Sequence, residues 1–106
     1  KVEDPLIEKI VELVKANLQN PEFNVKSLAD MLFMSQPTLY RKVKQITGFT
    51  IIELVRGVRL KEAAELLKTK QYGIQEVSEM VGYNDVPTFR KHFVALYGTT
   101  PSTFAG

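Results

Sequence analysis

Ser35–Gly48 reads SQPTLYRKVKQITG, and Asn84–Gly98 reads NDVPTFRKHFVALYG. Each begins with side chains suited to capping a helix, passes through Pro-Thr and a large apolar residue, turns basic, and closes on glycine. In the first, Leu39, Val43 and Ile46 recur at helical spacing and mark one buried face. Pro37 falls in the first turn, where backbone amides have no intrahelical partner to lose. Gly48 then takes the left-handed position that ends a helix. Ser35 therefore caps one helix, and Asn84 or Asp85 caps a second of the same design over Val86–Tyr97.

The likeness extends upstream. Ala29-Asp30-Met31 matches Ser78-Glu79-Met80, and each is followed by a tight turn, Phe33–Ser35 and Gly82–Asp85. Met31 and Met80 lie 49 positions apart, Pro37 and Pro87 50 apart, so the second turn is one residue longer. Two helices joined by a tight turn, the second with a basic outer face, form the helix-turn-helix pattern. Ala29 suits the crowded contact between such helices. One copy is a moderate signal, because paired short helices are common in ordinary cores; two copies are a stronger one.

The remaining segments are also helical. Asp4-Pro5 reads as an N-cap with proline at the first helical position, before an apolar stripe of Ile7, Ile10, Val11, Val14 and Leu18 that ends near Asn20-Pro21. Asn24 caps a short helix to about Leu32, with Leu28, Ala29 and Leu32 inward. Thr50-Ile51-Ile52-Glu53 is a capping box opening a long helix to about Thr69. Its Ile51, Val55, Val58 and Leu67 read as core. Gln71-Tyr72-Gly73 breaks the chain, Ile74–Val81 forms a short helix, and Thr100-Pro101 starts a last one. The expected fold is all-α with about seven helices.

With 106 residues and 44% hydrophobic content, the chain is one domain's worth, or two very small lobes. It lacks cysteine, so disulfides and thiolate metal sites are excluded. This composition suits a reducing cytoplasm. No apolar run approaches the ~18–20 residues of a membrane helix, and no signal peptide opens the chain. Because it starts at Lys1 rather than methionine, the chain is expected to be a piece of something longer. The net charge of +2 is unevenly spread: net −2 over Lys1–Asn24, +3 over Val25–Gly48, +2 over Phe49–Lys70 and −1 over Gln71–Gly106. Charge alone fits a solvated helix face as well as an anionic partner.

Catalysis finds no support. There is no Ser-His-Asp set, glycine-rich phosphate loop, metal-ligand spacing or isolated carboxylate pair, and no cofactor is implied. His92, the only histidine, reads as a packed or surface residue. Met31, Met34 and Met80 read as core and turn packing. Arg59 reads as structural, pairing with Glu62 or Glu65, while Arg56 is a candidate phosphate contact.

Taken together, the sequence resembles the DNA-binding domain of the AraC/XylS family of bacterial transcription regulators. The resemblance rests on Leu28-Ala29 through Met34-Ser35, Thr38-Leu39-Tyr40-Arg41, Gly48, Val58-Arg59-Leu60, Ala63-Ala64, Leu66-Leu67, Val77, Val81-Gly82-Tyr83, Phe89, Phe93, Gly98 and Pro101. It spans Phe23 to Phe104, and Asp4–Asn20 fits the family's first helix. It implies one domain over residues 1–106: a first helix-turn-helix lobe at about 5–48, a connecting helix at about 50–69 and a second lobe at about 73–104. The helices after Ser35 and Asp85 are then expected to enter successive major-groove segments on one face of double-stranded DNA.

The resemblance places base contacts at Gln36, Pro37, Tyr40 and Arg41 in the first helix, and at Val86, Pro87, Arg90 and Lys91 in the second. Lys44 and Gln45 fall where backbone contacts lie. The sequence departs from the family in Tyr83 for the usual phenylalanine, in apolar Val86, Pro87 and Val94, and in lacking a tyrosine-arginine near the end. A sensor is expected N-terminal to Lys1, either a sugar-binding domain or a two-component receiver and kinase. RNA polymerase is a further expected partner, in the cytoplasm. The rival class is a helical protein-interaction module docking through the acidic first helix. Salt separates the two, since DNA binding releases counterions and apolar docking does not.

Overall fold

The computed structural model describes residues 4–106, and among these the only regular elements are helices. They are α1 (Pro5–Ala16), α2 (Val25–Met31), α3 (Gln36–Thr47), α4 (Ile51–Lys68), α5 (Ile74–Met80), α6 (Val86–Tyr97) and α7 (Pro101–Ala105). Most start signals read from sequence appear as bonds. The Asp4 carboxylate accepts from the amides of Leu6 and Ile7 at 2.8 and 3.3 Å. Asn24 Oδ1 accepts from Ser27 N, Ser35 Oγ from Thr38 N, and Thr100 Oγ1 from Thr103 N. For α6 the cap is Asp85, whose carboxylate accepts from Thr88 N at 2.7 Å. At α4 the capping box closes in both directions. Thr50 N donates to Glu53 Oε1 at 2.9 Å, and Glu53 N to Thr50 Oγ1 at 3.1 Å.

The chain divides into two compact units. The first contains Glu22–Val58 and the described residues up to Asn17. Its core is Ile10, Val14, Phe23, Leu28, Ala29, Leu39, Val43 and Ile51, with Leu32, Met34, Val55 and Val58 packed against it. The second contains Leu18–Pro21 and Arg59–Gly106. Its core is Leu60, Ala63, Ala64, Leu67, Val77, Val81, Phe89 and Phe93. A run of ring contacts stiffens this core, from Tyr83 to Phe89 to Phe93 and on to Tyr97 and Phe104, with centroids 4.7–5.8 Å apart.

Each unit carries one helix-turn-helix, and the repeat is visible bond by bond. After α2, Phe33 N donates to Asp30 O at 3.1 Å and Met34 N to Ala29 O at 3.0 Å. After α5, the equivalent bonds run from Gly82 N to Glu79 O at 3.1 Å and Tyr83 N to Ser78 O at 2.9 Å. Both are Schellman closures with a left-handed residue at the same place, Phe33 at φ 56° and Gly82 at φ 91°. Farther along, Gly48 N bonds Lys44 O and Gly98 N bonds Val94 O, ending α3 and α6 alike.

Three expectations are corrected. Helix α1 stops at Ala16, not near Asn20, because the Asn17 side chain donates to Leu13 O at 2.8 Å and caps the end. Leu18 therefore leaves the α1 stripe and packs, half-buried, against the second unit's core. Arg59 is structural, but its guanidinium donates to carbonyl oxygens, those of Leu18 (2.6 Å), Val81 (2.7 Å) and Asn20 (3.4 Å). Glu65 pairs instead with Lys68. Met31 is 43% exposed rather than core.

Arg59 also explains Gly82. A Cβ at position 82 would run into the Arg59 guanidinium and the Leu18 carbonyl oxygen. The glycine is needed there for close approach as much as for its positive φ.

Candidate nucleic-acid interface

Helix α3 buries Leu39 and Val43 and half-buries Ile46, so the opposite side faces outward. Gln36, Pro37, Tyr40, Arg41, Lys44 and Gln45 recur at intervals of four along that side, and all are exposed. On α6, Phe89 and Phe93 are buried and Pro87, Arg90 and Lys91 are exposed. Val86 is half-buried, so its apolar surface is only partly available. The structure thus brings the candidate residues onto one face of each helix.

Among the described residues, Arg41, Arg90 and Lys91 take no hydrogen-bond or ion-pair partner, and their donors point to no internal task. Lys44 differs. Its Nζ donates to the Gly48 carbonyl at 2.8 Å, answering the negative end of α3. Such an exposed bond is easily exchanged for a phosphate oxygen.

Both helices start with proline in the first turn behind an oxygen cap. The Asp85 carboxyl is held below its ordinary value, first by the Thr88 amide that donates to it and then by the Thr88 hydroxyl. Two features of this region escaped sequence reasoning. Phe33 is 97% exposed in the first turn, and its match to Gly82 in the repeat was the available signal. The Tyr83 hydroxyl lies 2.8 Å from His92 Nδ1, a pairing with no sequence signature. Among the described residues no group of acidic, histidine or cysteine side chains is arranged to hold a metal. Among the described residues no helix is long and apolar enough to cross a membrane.

A family model described as a helix-turn-helix domain matches residues 28–106, most of the chain and both turns. The DNA-binding domain of the global transcriptional factor AdpA, solved in complex with a target DNA, superposes with a TM-score of 0.85 at 28% identity. That match covers 97% of this chain and 91% of AdpA's. The chain belongs to the AraC/XylS family. It is an AraC-type domain, and sequence-specific DNA binding of the kind used in transcription regulation is the function of such domains.

Two curated relatives extend the picture. Histidine kinase P4 of Formosa agariphila is 34% identical over 103 residues, covering 97% of this chain but 8% of the relative. The transcriptional regulatory protein YesN of Bacillus subtilis is 35% identical over 102 residues, covering 93% of the chain and 28% of YesN. The chain thus spans a minor part of both.

Proposed function

We propose that α3 and α6 are the reading helices of this domain and that they bind the major groove of one duplex. Support comes from their shared design: twice, after the same turn, a capped helix presents basic side chains that no internal partner occupies. In this reading Arg41 donates two parallel hydrogen bonds to a guanine edge, and Gln36, Pro37 and Tyr40 contact neighbouring bases. Lys44 and Gln45 meet phosphate and set register. On α6, Arg90 and Lys91 supply the polar contacts, while Val86 and Pro87 suit thymine methyls. The first unit, with the denser positive charge, supplies more of the affinity. The second reads a looser, thymine-rich half-site.

In this proposal residues 1–106 act as the output domain, with lobes at about 5–48 and 73–104 joined by the helix at about 50–69. A sensor or receiver preceding Lys1 in the same chain controls it, in keeping with the kinase name of the Formosa relative. The bound domain recruits or blocks RNA polymerase in the cytoplasm.

The test is a salt titration on a duplex selected from random DNA by this domain. The logarithm of affinity should fall linearly with that of salt concentration, and Lys44→Ala should flatten the slope by about 0.9. A slope near zero for the native chain would favour apolar docking instead. An unchanged slope in the variant would mean that Lys44 stays on the Gly48 carbonyl.

A further inference from the structure

We infer that His92 is a positioning residue for α6, acting through Tyr83 to set the rotation of that helix about its own axis. The inference rests on the reading that α6 faces DNA. Tyr83 sits in the turn between α5 and α6, where its amide is tied to Ser78 O at 2.9 Å. From there its side chain meets α6 at two points one turn apart. Its ring lies edge-on to Phe89, with centroids 5.4 Å apart. Its hydroxyl is 2.8 Å from His92 Nδ1, and the two rings cross at 66°.

The two contacts do different work. A ring against a ring holds distance and tolerates sliding, because the edge-to-face preference is broad, with favourable centroid separations spread over ~4.5–7 Å. A hydrogen bond is directional and weakens steeply off line. In the neutral imidazole the phenol donates to Nδ1 and the ring proton stays on Nε2, so one tautomer is selected.

His92 directly follows Arg90 and Lys91 in α6, so whatever fixes its azimuth fixes theirs. A rotation of ~20° moves the outer edge of a helix by ~2 Å, which is enough to break a base contact. The turn that carries Tyr83 is itself held from the other side, where Arg59 donates to the Val81 carbonyl at 2.7 Å. Tyr83 is therefore a braced anchor, and His92 is its grip on the reading helix.

The experiment measures affinity for two duplexes, the one selected by the native chain from random DNA and a scrambled one of equal length. Tyr83→Phe keeps the ring contact and deletes only the hydroxyl; His92→Leu deletes the acceptor. Each should weaken the selected duplex by ~3–10-fold, the worth of one net hydrogen bond, and leave the scrambled duplex within about twofold. The double variant should be no weaker than either single one. His92→Asn, whose Oδ1 stands near the place of Nδ1, should recover most of the loss. In nitrogen NMR spectra, the Nε2–H tautomer should dominate in the native chain and lose dominance in Tyr83→Phe.

Equal loss on both duplexes, additive single effects, or native selectivity in Tyr83→Phe would each overturn the inference. A native chain that selects no duplex would overturn the DNA-facing reading of α6 itself, and the positioning role with it.

Discussion

At the scale of single residues, the candidate interface separates side chains that already have a task from those that do not. Arg41 belongs to the second group: exposed, on the outer face of α3 and without an internal partner. Replacing it with alanine should leave folding unchanged within about 0.5 kcal/mol. On the preferred duplex it should cost ~1–3 kcal/mol and relax preference at one base pair. Binding measurements on single-base variants of the site decide this, and uniform weakening on all of them would make Arg41 a phosphate contact.

Asp85 belongs to the first group. Its carboxyl is depressed below the ordinary 3.8, mainly by the Thr88 amide, so the ionised form is bound better in the folded chain. Its contribution is therefore fully present above the unfolded value and is lost as pH falls through the lower folded one. Asp85→Asn keeps a capping oxygen that cannot titrate. Thermal melts between roughly pH 5 and roughly pH 2 should show a smaller acid loss in the variant than in the native chain. Parallel losses would assign the acid sensitivity to other carboxylates.

At the scale of elements, the α5–α6 turn is the most tightly specified piece of the second unit. Gly82 has φ 91° and the Arg59 guanidinium against the place a Cβ would occupy. Gly82→Ala should therefore cost at least about 2 kcal/mol, more than positive φ alone commonly does. Arg59→Ala leaves the Val81 and Leu18 carbonyls without their donor and should cost about 3 kcal/mol. The two losses share one cause, so the double variant should be more stable than the sum predicts. Denaturant unfolding of the four proteins measures the coupling, and strict additivity would mean that the methyl group finds room without displacing Arg59.

At the scale of the whole molecule, the proposal that both reading helices grip one duplex carries a spacing requirement. Helix α4 has 18 residues and is ~27 Å long, against ~34 Å for a turn of B-DNA. Inserting ~5 base pairs between half-sites turns one of them to the far side of the duplex. Inserting ~10 restores the side but adds ~34 Å, more than an unbroken helix can extend. Both insertions should reduce affinity to that of one half-site. A flexible tether would lose only a modest entropic amount, so undiminished binding to either expanded site would show that α4 does not fix the spacing of the two reading helices.

Helix number, the caps at Asp4, Asn24, Ser35, Thr50 and Thr100, the glycine closures and the duplicated motif were all legible in the sequence. So was the outer face of α3, because Leu39, Val43 and Ile46 define its opposite. These features depend on residues within about four positions of one another, and side-chain chemistry at that range has few alternatives. What only the tertiary structure decided lies at long range. Arg59 was expected to find a carboxylate one turn away, yet it reaches carbonyls 22, 39 and 41 positions distant. Leu18 continued the α1 stripe in sequence but packs against the other core. Along α4 the buried set shifts register between Val58 and Leu60, which no single helical period reproduces. Every residue carries a carbonyl, so an arginine's choice among them leaves no mark in the sequence. Only the folded backbone brings three of those carbonyls within reach of one guanidinium.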